Sequence, residues 1–237
     1  MITGVVVALP EELSTLTDKK IAKGQVGQLN ETVLVIYSGA GGKNAHKAAE
    51  LLVEKGARQL ISWGCAAALD PTFQSGDLVL ADSYLDAEQV EYGIYDDWLR
   101  HARKTLAADN RVVIRAGKIV ESKCIVGLSQ DKARLAATTG GVALDMESVA
   151  VAKVAQSHQL PFLTLRVIAD TASMDLPQAV SHALNELGEV ELSKLLMYLC
   201  LHPTELTGLI KLGLSFHAAK KTLTQIAKQL SNLTNQR

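Results

Sequence analysis

Residues 161–170 read Pro-Phe-Leu-Thr-Leu-Arg-Val-Ile-Ala-Asp, and this stretch decides the fold class. Positions 161–168 are mostly apolar, with Thr164 and Arg166 the two polar residues, and apolar residues stand at odd positions (Leu163, Leu165, Val167) and at even ones (Phe162, Ile168) alike. A strand with one wet face would alternate; a strand covered on both faces need not. Similar short runs lie at 2–8, 32–37 and 59–63, with weaker candidates at 78–81, 112–114, 118–120 and 142–144. Helical patterns separate some of them, at 45–55 and 147–156. Buried strands alternating with helices predict an α/β fold: three layers, αβα, around a twisted, largely parallel mixed sheet.

The predicted sheet says where to look for chemistry. In open α/β sheets ligands bind outside the carboxyl ends of the strands. The residues just past the strand candidates are Glu12, Ser38-Gly39, Gly64-Cys65-Ala66, Met146-Glu147 and Asp170. Most are small or acidic. Small residues let a ligand approach the backbone, and acids can do proton or hydroxyl chemistry.

Each candidate also has a purely structural reading. Asp170 suits a helix N-cap or an Asx turn. As a general acid it would need burial or a nearby negative charge to raise its pKa. Glu12 follows Pro10, and acids are favoured in a first helical turn. In 143–148, Ala-Leu-Asp-Met-Glu-Ser, the carboxylates of Asp145 and Glu147 could be turn punctuation or could line a pocket with Met146. The loop Ser-Gly-Ala-Gly-Gly-Lys-Asn-Ala at 38–45 has the composition of a phosphate cradle but lacks the Gly-Lys-Ser/Thr ending, so a tight turn is the better reading. Lys43 reads as solvated. Arg166 stands inside an apolar strand, and a buried guanidinium requires a carboxylate partner.

Composition narrows the class. The chain has 237 residues, 48% of them hydrophobic, and a net charge of −1, so no global field draws nucleic acid. Its three cysteines, Cys65, Cys124 and Cys200, are far apart and odd in number. They suggest neither a disulfide framework nor a metal knuckle, and the six histidines show no ligand spacing, so a reducing, cytoplasmic setting without a metal is expected. The opening Met-Ile-Thr-Gly-Val-Val-Val reads as a first strand, not a signal peptide. No apolar run reaches the roughly 18 residues of a membrane span. The expected division is a catalytic domain over 1–200 and a helical extension over 201–237.

That extension has its own pattern. From Leu206 to Arg237 there is no acid, while Lys211, Lys220, Lys221, Lys228 and Arg237 are basic. Leu212, Phe216, Ala219, Leu223, Ile226, Leu230 and Leu233 recur at steps of four and three, an amphipathic helical stripe. It can pack on the domain or on another subunit, leaving a solvated basic face, or dock on the anionic inner face of a membrane.

Taken in order, the segments 7–12 (VALPEE), 38–45 (SGAGGKNA), 63–69 (WGCAAAL), 75–82 (SGDLVLAD), 143–155 (ALDMESVAVAKVA) and 160–173 (LPFLTLRVIADTAS) resemble the purine nucleoside phosphorylase and uridine phosphorylase superfamily. The branch is the one near methylthioadenosine/S-adenosylhomocysteine nucleosidases. The tail, with DLPQAV at 175–180 and LHPTELTGLIKL at 201–212, resembles the hopanoid-associated phosphorylases, which are implicated in removing adenine from adenosylhopane. The resemblance implies cleavage of the N-glycosidic bond of a 5′-substituted adenosine. It implies Met146 against the sugar, Glu147 on the ribose hydroxyls, Asp170 as proton donor at purine N7 and Glu12 as the group that activates water. The rest of the implied binding site is Ser38, Cys65, Ala66, Cys124, Ile125 and Arg166. A homo-oligomer is implied too, since pockets of this family are often completed by a neighbouring subunit.

There are departures. The family's Thr-Gly-Ser-Ala-Gly-Gly is here Trp63-Gly64-Cys65-Ala66-Ala67-Ala68, with methyl groups at two glycine positions. The adenine-stacking aromatic of the nucleosidases falls at Cys124, leaving Ile125 and backbone on that side. The serine before the late aspartate is Ala169. No cofactor is implied, but inorganic phosphate stands as an alternative co-substrate. Phosphorylases of this fold hold phosphate with arginines in an early loop; here that loop, 8–12, carries Glu11 and Glu12 and no arginine, which favours water. A general purine nucleoside phosphorylase, a catalytically silent nucleoside-binding module and a membrane-surface adaptor stand as the other readings.

Overall fold

The computed structural model describes residues 1–93, 97–183, 194, 197–198 and 201–234. In chain order the elements are β1 (Thr3–Val7), α1 (Pro10–Leu13), β2 (Val26–Asn30), β3 (Val33–Tyr37), α2 (Gly42–Glu54), β4 (Gln59–Ala68), β5 (Leu78–Leu85) and β6 (Glu91–Gly93). Then come α3 (Asp97–Ala107), β7 (Ile114–Glu121), α4 (Ser129–Thr139), β8 (Ala143–Asp145), α5 (Ser148–Ser157), β9 (Phe162–Asp170) and α6 (Gln178–Ala183). Two tail helices, Leu206–Ala227 and Leu230–Thr234, follow.

The strands show why three layers form. In β1, Val5 and Val7 enter one core and Val6 the other. In β4, Ile61 and Trp63 face the first core and Leu60 the second. In β9, Leu163, Leu165 and Val167 face the first, and Phe162 and Ile168 the second. Helix α3 and the tail helices cover the first face, through Trp98, Ala102, Leu106, Ala219, Leu223, Ile226, Leu230 and Leu233. Helices α2 and α5 cover the other, through Ala45, Ala49, Leu52, Val149, Val151 and Val154. Every residue of β9 is buried, as apolar side chains on both of its faces require.

The sheet is mixed, and it closes on itself. Strands β3, β1, β4 and β9 run parallel, and so do β5, β7 and β8. Two antiparallel seams, β9 with β5 and β4 with β8, join the sets into a ring. The mixed, largely parallel sheet is the expected one, and its closure into a ring adds to that expectation. The cause is the length of β4: Thr3–Val7 pair with Gln59–Trp63, and further along Ala67 and Ala68 pair with Leu144 and Ala143. The strand changes partner around Gly64, at φ +156°. Gly64-Cys65-Ala66 therefore lie inside a strand and not past its end. The alanines that replace the family's glycines are strand residues, with Ala68 fully buried.

The amphipathic stripe predicted in the tail is the one that packs. Ala219, Leu223, Ile226, Leu230 and Leu233 share the core of the first face, and the Trp98 indole N–H donates to the Leu233 carbonyl at 2.7 Å. The predicted segment at 118–120 and the last residue of that at 112–114 fall in one strand, β7, while Val112 and Val113 precede it. Two short, half-exposed strands, β2 and β6, and helices α3 and α4 were not predicted. Cys200 lies outside the described residues.

Candidate active site

The site assembles from the ends of β1, β8 and β9 and the interior of β4, and begins with Glu12. Chain leaving β1 turns at Pro10 into the single turn of α1, which carries Glu12 inward until it is 2% exposed. One carboxylate oxygen, Oε2, accepts the backbone N–H groups of Ala8 (3.2 Å) and Leu9 (3.1 Å). The other, Oε1, accepts the Cys65 N–H at 2.7 Å. A carboxylate offers about four acceptor positions, so three backbone donors leave one for a further donor. Burial pushes the Glu12 carboxyl up from the ordinary 4.5 to about 7, against the opposing pull of the Arg166 guanidinium and the Cys65 N–H. A carboxyl group near 7 is tuned for general-base work at neutral pH.

Gly64 makes the Glu12 contact feasible. A Cβ at this position would lie 2.4 Å from Arg166 Nη1 and 2.4 Å from Glu12 Oε1. Only glycine lets β4 pass between these two charged groups.

Arg166 is the hub. It is 1% exposed, and its Nε lies 2.6 Å from Asp145 Oδ2. Nε also donates to Ser148 Oγ (3.1 Å), Nη2 to Ser62 Oγ (2.9 Å) and Glu147 Oε2 (3.3 Å), and Nη1 to the Cys65 carbonyl (3.3 Å). Burial alone would lower the Arg166 pKa; the carboxylates of Asp145, Glu147 and Glu12 outweigh it and hold the group above its ordinary value. The carboxylate partner demanded by the sequence is thus a pair, Asp145 and Glu147. Arg166 itself is committed to protein acceptors, so it orients Glu147 from behind. Removing the guanidinium strands three buried acids. Arg166→Met is expected to destabilise the fold by about 3–5 kcal/mol, read from urea unfolding.

The turn from β8 into α5 supplies the sugar side. Asp145 accepts the backbone N–H groups of Glu147 (3.2 Å) and Ser148 (3.0 Å), and the Ser148 hydroxyl, fixing this turn. Asp145 is punctuation in the literal sense. Glu147 is placed by it: Oε1 accepts the Gly41 N–H at 2.8 Å, tying the glycine-rich loop to the acid. Burial raises the Glu147 pKa, with Arg166 opposing and Asp145 adding. Met146, half-buried, stands beside it with its carbonyl against Gly42. The glycine-rich loop is therefore a tight turn, with Gly39 at φ +80° and Gly41 at φ +94°. Within it Ser38 is buried, and its hydroxyl lies 3.1 Å from the Val7 carbonyl and 2.8 Å from that of Gly39.

Asp170 is the last residue of β9, opposite Ala67 of β4. Burial raises its pKa, and Lys132 pulls it down. Lys132 is fully buried, with Nζ 2.7 Å from both Asp170 carboxyl oxygens. The structure thus joins Glu12, Glu147 and Arg166 in one polar network with Cys65. It puts Asp170 two strand positions along β4 from Cys65, with its own lysine. Cys65 is half-buried beside Glu12, and burial pushes its thiol well up, with the Glu12 carboxylate adding to the shift. Ala66 turns its methyl into the second core. Cys124 and Ile125 sit exposed on the loop between β7 and α4 and take no part in the hydrogen bonds described above.

Sequence reasoning missed Lys132, Ser62 and Ser148. Lys132 had a signal: a cation near a helix N-terminus works against the helix dipole, and such a local violation marks a residue held for another reason. The two serines had none, since hydroxyls inside strands and first helical turns are common.

A closed mixed sheet between helical layers, with buried acids gathered at the carboxyl ends of its parallel strands, defines an α/β protein built to act on a small molecule. The chain belongs to the phosphorylase superfamily, whose family model matches residues 3–196. It is 27% identical over 199 residues to the 5′-methylthioadenosine/S-adenosylhomocysteine nucleosidase of Staphylococcus saprophyticus, covering 73% of this chain and 87% of that one. The Staphylococcus epidermidis nucleosidase of the same name is likewise 27% identical, over 72% of this chain and 86% of its own. Among solved structures, the corresponding Helicobacter pylori nucleosidase superimposes with a TM-score of 0.71 at 18% identity, covering 98% of this chain and 96% of that one. Futalosine hydrolase of Helicobacter pylori gives 0.70 at 18% identity, over 98% and 96%. At such identity the two structures speak for the fold.

Proposed function

We propose that the protein is an enzyme that cleaves the N-glycosidic bond of a 5′-substituted adenosine and releases adenine, with water as the nucleophile. The observation that carries this reading is Glu12: a buried carboxyl group held by three backbone N–H groups, raised to about 7, and joined through Arg166 to Glu147. The nucleosidase relatives support the substrate class.

The roles follow from the chemistry. Breaking C1′–N9 builds positive charge on the ribose and negative charge on the departing base. Glu147, oriented by Arg166 and the Gly41 N–H, accepts from the ribose hydroxyls and faces the developing cation. Glu12 takes a proton from water as its oxygen bonds C1′. Asp170 delivers a proton to purine N7, so the base leaves neutral. Met146 lies against the sugar. Cys124 and Ile125 meet the base only weakly, in keeping with their exposure.

Phosphate as the nucleophile is the competing chemistry. The early loop, 8–12, carries Glu11 and Glu12 and no arginine, so it repels an anion, and this supports water. The 5′ substituent of adenosylhopane is the finer substrate reading, and it rests on the resemblance of the tail alone. A homo-oligomer rests on the resemblance to the superfamily, whose pockets are often completed by a neighbouring subunit. Contact with an anionic membrane is supported by the acid-free tail helix, where Lys211 lies beside exposed Leu206, Ile210 and Leu214. Vesicle sedimentation with anionic and neutral lipid tests that contact.

The experiment for the main reading is a panel of 5′-modified adenosines, a hopanoid conjugate included, with products read by mass spectrometry in the presence and absence of phosphate. Adenine and a free sugar are expected without phosphate. Tight binding with no release would make the protein a nucleoside-binding module, and a strict phosphate requirement would make it a phosphorylase.

A further inference from the structure

We propose that Lys132 is a positioning residue for the general acid: its ammonium fixes the Asp170 carboxyl at the end of β9 and balances the charge that proton donation leaves there. The inference rests on the Asp170 assignment made above. Its geometry is unusual for a lysine. Lys132 is fully buried on α4, four residues into the helix, where its charge opposes the dipole. Its Nζ donates to Asp170 at 2.7 Å, to the Thr171 carbonyl at 3.0 Å and to the Met174 carbonyl at 2.8 Å. An ammonium has three donors, so every one is used. The two carbonyls lie just past the end of β9, so Lys132 clamps that turn as well as the carboxyl.

This arrangement changes what Asp170 can do. As C1′–N9 breaks, its electron pair moves onto the adenine ring, and N7 takes the proton that leaves Asp170. Water supplies the oxygen that bonds C1′, and Glu12 takes its proton. A carboxylate remains at Asp170 in a buried place. Without a cation that product is costly; with Lys132 against both oxygens it is balanced. The groups acting on Asp170 are few. Lys132 faces it from α4, Asp175 acts on it from the following loop, and its partner on β4 is the uncharged Ala67.

The sign is fixed by the charge. Lys132 lowers the Asp170 pKa, so removing it leaves Asp170 protonated to higher pH. In Lys132→Met the alkaline limb of the kcat/KM profile for adenine release should therefore move to higher pH, with kcat down about tenfold or more. Lys132→Gln, which can still donate to the Thr171 and Met174 carbonyls, should shift the limb the same way. Asp170→Asn, which removes the limb, identifies it. The unmutated protein supplies an independent readout: the nitrogen-15 signal of the Lys132 ammonium should move with the midpoint of that limb. A folded variant whose limb stays in place, or an ammonium signal flat across the limb, overturns the proposal. If the wild-type protein releases no adenine, the proposed function fails first, whatever the variants do.

Discussion

Glutamine at position 12 lowers adenine release by about 10²-fold or more, the usual scale for losing a general base. Glu12→Gln keeps the size of the side chain and an oxygen to accept from Cys65 N–H, but it cannot take a proton from water. The pH profile carries the same information. Since burial raises Glu12 to about 7, wild-type kcat/KM should climb as pH passes about 7 from below, and the variant should lose that limb. Stability moves the other way. A carboxyl group whose folded pKa lies above its unfolded value binds its proton more tightly in the native state. Its contribution is present below the unfolded value and is lost as pH rises through the folded one. For a rise from 4.5 to about 7 the loss is about 3 kcal/mol. Between pH 5 and pH 8 the wild-type unfolding free energy should thus fall more than that of Glu12→Gln. Urea unfolding at the two pH values checks it. A variant with wild-type turnover and an unchanged pH limb would remove Glu12 from the mechanism.

The second large effect is at Asp170. Asp170→Asn should lower adenine release by about 10²-fold or more, because the amide can accept from Lys132 but has no acidic proton for N7. The ammonium of Lys132 would then lack its counter-charge, so some stability should go as well. Binding separates the two consequences. The variant should still bind a 5′-substituted adenosine, measured by calorimetry, while turning it over slowly. Wild-type turnover in this variant would leave the leaving group without its assigned proton donor.

Much of this was legible in the chain because it rests on local rules. Apolar residues at both odd and even positions of 161–168 announced a strand buried on both faces, and β9 is that strand. Arg166 inside it demanded a carboxylate, and Asp145 and Glu147 supply two. The stripe Ala219, Leu223, Ile226, Leu230, Leu233 marked the face of the tail that enters the core. What stayed hidden depends on pairings distant in sequence. The closure of the sheet follows from β4 changing partner from β1 to β8, and its own residues do not advertise that exchange. The methyl groups at 67 and 68 stood out against the family's glycines, but their place in a strand between β8 and β9 did not. Lys132 reaches Asp170 across 38 positions, so only the packed structure brings the two together.

Three acids around one sugar–base bond are the centre of the account, and a crystal structure of Asp170→Asn with 5′-methylthioadenosine tests it most directly. The expected result is a nucleoside with its ribose hydroxyls on Glu147, its N7 at Asn in position 170 and a water between Glu12 and C1′. A nucleoside bound elsewhere, or one whose C1′ lies beyond the reach of any water on Glu12, would contradict it.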